Sequence, residues 1–480
     1  MDPAALRAAA LAVLHKNDLG GWTKPAPRLY PHQWSWDSAF IAIGLAGVDP
    51  DRALRELETL FAAQWADGRV PHIVFNPEAA DYFPGPEWWA SASTSPHAPR
   101  RPATSGLIQP PVHALALQRI HRLASDRPPP PAGGPPSPAA AHQRRGGPSR
   151  QASRVAADMS KEHVNDDDAI AARIRALYPR VLAWHRYLAT ARDPHGTGLL
   201  VIYHPWESGT DNSPRWDAAL SRVTIGALPA YQRHDLKHVA EPSQRPTHAE
   251  YDRYLWLVEL LKQAGYDDRR VEATHPFLVG DVLMSAIFAC ACTRLAELAQ
   301  LLSRPASEYL ELTGYAQRFT DGVLRAWDPD QSLALDHDVR AGEPVRVATC
   351  AGLSPLLLPA LEPALLKRVV ERQRGPGFAG ADGFKFPVVP STTPGSTGFS
   401  ARSYWRGPAW PVANWLCWYG LRQHGQRAAA ARLQAANLAL LAGPTAQFAE
   451  YFDPYTADAL GSLEQSWSAA VALDWLSAEP

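Results

Sequence analysis

The sequence predicts an all-α protein, a closed double ring of paired helices with its site at one mouth, an (α/α) toroid. Three observations carry that expectation. About a dozen segments keep their apolar residues on one helical face. Hardly any stretch alternates apolar and polar residues as a half-buried strand does. Aromatic, proline-rich loops recur close to the helix ends. Short connections make successive helices antiparallel neighbours. An open helical solenoid is the structural alternative, and the lack of a fixed repeat of roughly 30 to 45 residues tells against it.

Length allows two or three average domains in 480 residues, but toroids use more residues per domain, so one domain over 1–480 is expected. Hydrophobic residues make up 46% and charged residues 20%, which is ample material for a core. Lysine plus arginine (47) balances aspartate plus glutamate (48), which argues against nucleic acid or an anionic membrane surface as partner. No run approaches a membrane span, and residues 1–17 lack the order of a signal peptide, so a cytoplasmic protein is expected. Cys290, Cys292, Cys350 and Cys417 lie in apolar surroundings without metal-ligand spacing. They read as buried thiols of a reducing compartment rather than a zinc site. Assembly into a homo-oligomer stays open.

In chain order, Ala4 to His15 is an amphipathic helix ended by Asn17-Asp18 and Gly20-Gly21. The aromatic loop Tyr30 to Ser38 leads into a small-residue helix, Ala39 to Ala46. Asp49-Pro50 opens the next, Ala53 to Trp65. From Val70 to Trp89 proline, asparagine, glycine and aromatics make a long loop, with Tyr82 to Pro86 unable to form regular structure, and such loops are often functional. After a helix from Val112 to Leu123, the Pro- and Gly-rich composition centred on Arg127 to Arg150 cannot bury a core, so 126–160 is expected to be a disordered surface insertion. Ile170, Ile174, Leu177, Val181, Trp184 and Leu188 then hold one face, with a kink expected at Pro179. Further helices follow at Leu255 to Leu261, Val282 to Leu302, Leu312 to Val323, Pro363 to Gln373, Pro411 to His424, Gln426 to Leu441 and Ser462 to Leu476.

The chemistry concentrates in His204 to Asp217, where three acids, two indoles, an arginine and a histidine share fourteen residues with Gly209 and two prolines. Asp211-Asn212-Ser213 before Pro214 reads as a helix start with a capping side chain. Alone, the segment reads equally as an acidic cap beside buried tryptophans. A second segment, Gln447 to Thr456, sets Glu450 between aromatics before a proline turn. Two carboxylates from distant loops, each in aromatic surroundings that tune its pKa, are what glycoside hydrolysis requires. The chain has seventeen tryptophans, and Trp34, Trp36, Trp88, Trp89, Trp206, Trp405 and Trp410 fall in loops, where flat indole faces suit the C–H faces of a sugar. Trp184, Trp256, Trp327 and Trp418 lie inside helical patterns and read as core. Tyr404 to Pro411 reads as a hydroxyl-binding rim or a tightly packed turn. Arg245 and the Glu250 to Tyr254 run supply cationic and phenolic groups for an acidic aglycone, or else sit on the surface at a helix start. No Gly-rich phosphate loop, metal cluster or Ser/His/Asp arrangement outranks the carboxylate pair, and no cofactor is expected.

With Trp206-Glu207-Ser208-Gly209, Asp211 to Asp217, Tyr404 to Pro408 and Phe448 to Pro454, the sequence resembles glycoside hydrolase family 63, within it the bacterial glucosylglycerate and mannosylglycerate hydrolases. The likeness runs from Tyr30 to Trp475 apart from the Pro-rich insertion. It implies an (α/α)6 barrel and an inverting mechanism with Asp211 as general acid and Glu450 as general base. It also implies a sugar surrounded by Tyr30, Trp34, Trp36, Asp37, Trp206 and Trp410. Tyr82, Gln109, Arg245, Tyr251, Trp405 and Gln465 fall where relatives hold glycerate, and Tyr404 belongs to the same substrate-binding set. Thr210 before the acid and the insertion depart from close relatives. The expected function is therefore hydrolysis of an α-linked glucosyl- or mannosylglycerate. The rivals are an α-glucosidase of the same barrel acting on a neutral disaccharide such as trehalose or kojibiose, a sugar-binding protein without turnover, and a scaffold built on the insertion.

Overall fold

The computed structural model describes residues 2–79, 81–125, 152–443 and 447–478. Among these are sixteen α-helices, and every strand is two or three residues long. Six segments pack in a closed circuit. Ser35–Ala46 meets His113–Ser125, which meets Val282–Leu301, then the 3-10 segment Cys350–Leu357, then Pro411–Gln423, then Ser466–Ser477, which returns to Ser35–Ala46. Each is backed by another helix. In the same order these are Pro50–Ala62, Ala152–Ala191, Ala306–Arg325, Pro363–Arg374, Arg427–Ala442 and Pro3–Asn17.

Sequence character sorts the two sets. Every residue of Ser35–Ala46 is buried, as is nearly all of Ser466–Ser477, and a helix apolar on every side is stable only inside. The backing helix Pro50–Ala62 instead buries a stripe of Ala53, Leu54, Leu57, Leu60 and Phe61. Its start follows from Asp49, whose side chain accepts from Arg52 N, and from Pro50 at the first turn.

Three expectations are corrected. Within 126–160, residues 126–151 lie outside the described residues, whereas 152–160 open the helix Ala152–Ala191, which runs through Pro179. Past the prolines and glycines this stretch has none of either, and its alanines and charged residues are good helix formers. The helix Val282–Leu301 is long and apolar enough to cross a membrane, contrary to the reading that no run approaches a span. Its apolar surface is taken up by Ala306–Arg325, His113–Ser125 and Cys350–Leu357, and 83% of its most apolar window is buried. Trp184 and Trp418 are core as expected, but Trp256 and Trp327 are only partly buried, and Trp327 lies in the short strand Trp327–Asp328 rather than in a helix. The four cysteines are buried and unpaired.

The short strands tie loops together. Gln33–Trp34 pairs antiparallel with Ile73–Val74, which joins the first aromatic loop to the 70–89 loop. Tyr451–Phe452 pairs with Ala459–Leu460 in a hairpin that carries Glu450 at its base. Leu200–Ile202 pairs with Val279–Asp281 and leads directly into the acidic loop.

That loop is anchored by a buried ion pair. Glu207 takes two bonds of 2.8 Å from the Arg192 guanidinium, and it also accepts from Tyr203 N at 2.7 Å and Ile108 N at 3.3 Å. Arg192 lies 3.9 Å over the Tyr203 ring and 3.0 Å from Asp268. Both partners of the pair are essentially inaccessible, so removing one strands a charge in a poorly solvated place. Arg192→Met is expected to lower the unfolding free energy in a denaturant titration by about 3 to 5 kcal/mol. A loss under about 1 kcal/mol would show that the pair does not hold the loop.

Candidate active site

The three acids of the 204–217 stretch have different fates. Glu207 is locked by Arg192. Asp217 takes a bidentate pair from Arg406 at 2.9 and 2.6 Å. Arg215 is bound to Asp336 at 2.7 Å and to Thr210 Oγ1 at 2.8 Å. Asp211 has no such partner and lines a cleft. The turn that presents it is built from Gly209, at φ +70°, where an added Cβ would lie 2.6 Å from the Trp36 ring. Ser213 caps the following Pro214–Trp216 turn, as the sequence suggested. His204 accepts Trp206 N–H on Nδ1 at 3.0 Å. Its Nε2 therefore carries the hydrogen and donates to Tyr254 O, also at 3.0 Å. Burial pushes this imidazole down to about 3, so it stays neutral as a strut.

Glu450 is 1% exposed. Its Oε2 accepts from Ser462 N at 3.2 Å, and its own N–H donates to Ser462 O at 2.7 Å. The neighbouring Gly461, at φ +68°, leaves room for the carboxylate, since a Cβ there would sit 2.3 Å from Oε2. Tyr30 donates to Oε1 at 2.6 Å. Tyr30 and Tyr404 hydroxyls are 3.0 Å apart, and Tyr404 Oη lies 3.5 Å from Asp211 Oδ2. Through these three links the two carboxyl groups are no more than about 9 Å apart, near enough to flank one sugar ring and a water. Tyr404 itself is held at φ +37°, a backbone conformation that costs a tyrosine on the order of 1 kcal/mol or more. Trp410 Nε1 donates to its carbonyl at 3.1 Å, and Trp405 N donates to Asn212 Oδ1 at 3.0 Å.

Electrostatics separate the pair. Burial is the main cause that pushes Asp211 up to about 7, with the Glu450 charge adding to it and Arg245 opposing. Burial also raises Glu450, but Arg245, the Tyr30 hydroxyl and Ser462 N–H favour its ionised form. Arg245 Nη1 donates to Tyr30 Oη at 2.9 Å and lies 4.0 Å from Glu450 Oε1. Its guanidinium covers the Tyr404 ring at 4.3 Å. Asp235 fixes it from behind, 3.3 Å from Nε, and Arg233 grips Asp235 at 3.0 and 2.6 Å.

The cleft holds about 770 Å³ of empty space, including its open part. Of the residues singled out from sequence, its wall contains Tyr30, Trp34, Tyr82, Trp89, Gln109, Trp206, Asp211, Arg245 and Tyr251. The others are not on this wall. Trp36, Asp37, Tyr404, Trp405, Trp410, Glu450 and Gln465 are buried around it. Trp405 stacks on Trp410 at 3.8 Å, with the planes 7° apart, so it backs that indole rather than facing the cleft. Gln465 Oε1 is buried without a hydrogen-bond partner, leaving an acceptor free. Burial, with the charges of Glu450 and Asp211, holds the Asp37 carboxyl well above its usual range. Among the described residues no cluster of His, Cys, Asp or Glu is arranged to hold a metal ion.

Sequence reasoning missed Arg233, Asp235 and His72. The last two line the cleft, and Arg233 holds Asp235. The one local signal was Arg233-His234-Asp235, an oppositely charged triplet in an otherwise uninformative loop.

Known proteins share this arrangement over nearly the whole chain. The family model of the mannosylglycerate hydrolase MGH1-like glycoside hydrolase domain matches residues 30–136 and 132–468. The glucosylglycerate hydrolase of Mycolicibacterium hassiacum is 42% identical over 474 residues, 99% of this chain and 98% of that protein. The mannosylglycerate hydrolase of Thermus thermophilus is 40% identical over 97% of this chain and 99% of its own length. A crystal structure of a family 63 mannosylglycerate hydrolase from the same species, in complex with Tris and D-glycerate, superposes with a TM-score of 0.82 at 40% identity, covering 98% of this chain and 99% of that one.

Proposed function

The chain belongs to the mannosylglycerate hydrolase MGH1-like glycoside hydrolases of family 63, and we propose that it releases glucose or mannose from an α-linked glycosylglycerate with inversion at the anomeric carbon. On this reading the closed circuit of helices, each backed by a partner, is an (α/α)6 barrel, and the cleft is its mouth.

The observation that carries the proposal is the division of labour between two carboxyl groups that share one buried space. Asp211, pushed up to about 7, is still substantially protonated near neutral pH and gives its proton to the bridging oxygen. Glu450, steadied as a carboxylate by Arg245 and Tyr30, takes a proton from water on the opposite face of the sugar. Inversion calls for roughly 6.5 to 9.5 Å between the two carboxyl groups to admit that water, and the links through Tyr30 and Tyr404 allow a separation of up to about 9 Å. Arg245 is the cation that would meet the glycerate carboxylate, with Tyr82 and Tyr251 on the same wall. Gln109, on the same wall, suits sugar or glycerate hydroxyls. The reaction consumes only water and calls for no cofactor.

Glucosylglycerate and mannosylglycerate, followed by anomer-resolved NMR, test the assignment. Asp211→Asn and Glu450→Gln are each expected to cut kcat by at least about 10²-fold, and the first sugar released should be the β anomer. Undiminished turnover in either variant removes that residue from the mechanism, and α product would replace inversion by retention. The profile of kcat/KM against pH should be a bell. The alkaline limb falls as Asp211 loses its proton near 7, and the acid limb lies above the ordinary glutamate value of 4.5, because Glu450 must be ionised and its pKa is raised. Arg245→Met should lower kcat/KM for a glycosylglycerate by roughly 10²-fold while a neutral α-glucoside loses far less. Equal losses on both would favour the neutral-disaccharide reading.

A further inference from the structure

An inverting turnover leaves both carboxyl groups in the wrong state. Asp211 has given up its proton and Glu450 has gained one, so the next cycle needs a proton carried back from 450 to 211. Both groups lie in a narrow cleft or behind its wall, where exchange with bulk water is restricted. The structure supplies another route. Glu450 Oε1, Tyr30 Oη, Tyr404 Oη and Asp211 Oδ2 form an unbroken series at 2.6, 3.0 and 3.5 Å.

We propose that Tyr30 and Tyr404 form a proton relay that resets the site between turnovers, a role that rests on the acid and base assignment above. The hydrogen-bond inventory allows two settings in which every link of this series is made. Tyr30 Oη has one hydrogen and two acceptor positions, one of which is always filled by Arg245 Nη1 at 2.9 Å. When Glu450 is ionised, Tyr30 donates to it. Tyr404 must then donate to Tyr30, and Asp211, to remain bonded, presents its own proton to Tyr404. When Glu450 is protonated it donates to Tyr30, Tyr30 donates to Tyr404, and Tyr404 donates to ionised Asp211. The contact between the two phenols is compatible with either direction.

The two settings differ by one concerted shift. The Glu450 proton passes to Tyr30 oxygen, the Tyr30 proton to Tyr404 oxygen, and the Tyr404 proton to Asp211. Three O–H bonds break and three form, one proton moves in net, and nothing is oxidised or reduced. The Arg245 guanidinium, 4.0 Å from Glu450 Oε1, favours the setting in which Glu450 carries the charge, which is the one ready to react. The strained backbone of Tyr404, at φ +37°, has its physical reason in placing that hydroxyl between Tyr30 and Asp211.

The test uses Tyr404→Phe, and Tyr30→Phe as a second variant, on whichever glycosylglycerate the wild type turns over. In rapid-mix experiments Tyr404→Phe should release about one sugar per active site in a first turnover and then settle to a steady state at least about tenfold slower than that first turnover, because the return of the proton is impaired more than the chemistry itself. That slow phase should rise in proportion to added imidazole, a diffusible proton carrier, and the wild type should show neither the burst nor the dependence. A first turnover slowed as much as the steady state, with no response to imidazole in either variant, would make the phenols binding or packing residues and overturn the relay. A wild type inactive on both glycosylglycerates, or Asp211→Asn with full activity, would instead remove the acid and base assignment and the relay with it.

Discussion

Two carboxyl groups buried close together cannot both be ionised cheaply, and that desolvation, with their mutual repulsion added, organises the rest of the site. Raising Asp211 from 3.8 to about 7 withholds about 4 kcal/mol from its charged form, several times the net worth of an ordinary hydrogen bond. Arg245 breaks the symmetry. It lies 4.0 Å from Glu450 Oε1 and on the ring of Tyr404, so negative charge is better kept on residue 450 than on residue 211. The guanidinium is itself restrained by Asp235, which Arg233 grips in turn. One ion network thus sets both the protonation pattern and the position of the group facing an acidic aglycone.

The surrounding loop shows the opposite treatment of charge. Glu207 and Asp217 are each held by a bidentate arginine, and Arg215 by Asp336. The two buried pairs, on Glu207 and on Arg215, are worth little as net stability because desolvation offsets the attraction, but they specify geometry, since a broken one leaves a buried charge, whereas Asp217 is half exposed. The loop can hold Asp211 without a strong counter-ion because its neighbours have theirs. Catalytic poise at one carboxyl rests on satisfaction at the others.

Much of this was readable in one dimension. Helical period located the α-helices of the circuit to within about four residues but not its 3-10 segment Cys350–Leu357, which is too short and too largely apolar to show a period. Val282 to Leu302 is observed as Val282–Leu301, and Pro411 to His424 as Pro411–Gln423. Ser35–Ala46 begins earlier than its periodicity suggested, because a fully buried helix has no polar face to mark its ends. Asp211 and Glu450 stood out by their aromatic and proline-rich context. The links between them did not, since Tyr30 and Tyr404 are 374 positions apart and nothing in local spacing reports a contact of that range. Asp235 was missed for the same reason, because its importance comes from the arginine it touches. Trp405 looked like a substrate residue by its loop setting, yet its indole face is taken up by Trp410.

The central claim is that Asp211 holds a proton at neutral pH because Glu450 and burial make it do so, and a site-resolved titration of this carboxyl measures that directly. With aspartate carboxyl carbons labelled with ¹³C and Asp211→Asn used to assign the resonance, the account predicts a midpoint near 7 that moves toward the ordinary aspartate value in Glu450→Gln. A midpoint near 4 in the unaltered protein, or one near 7 that ignores the loss of the Glu450 charge, would contradict it.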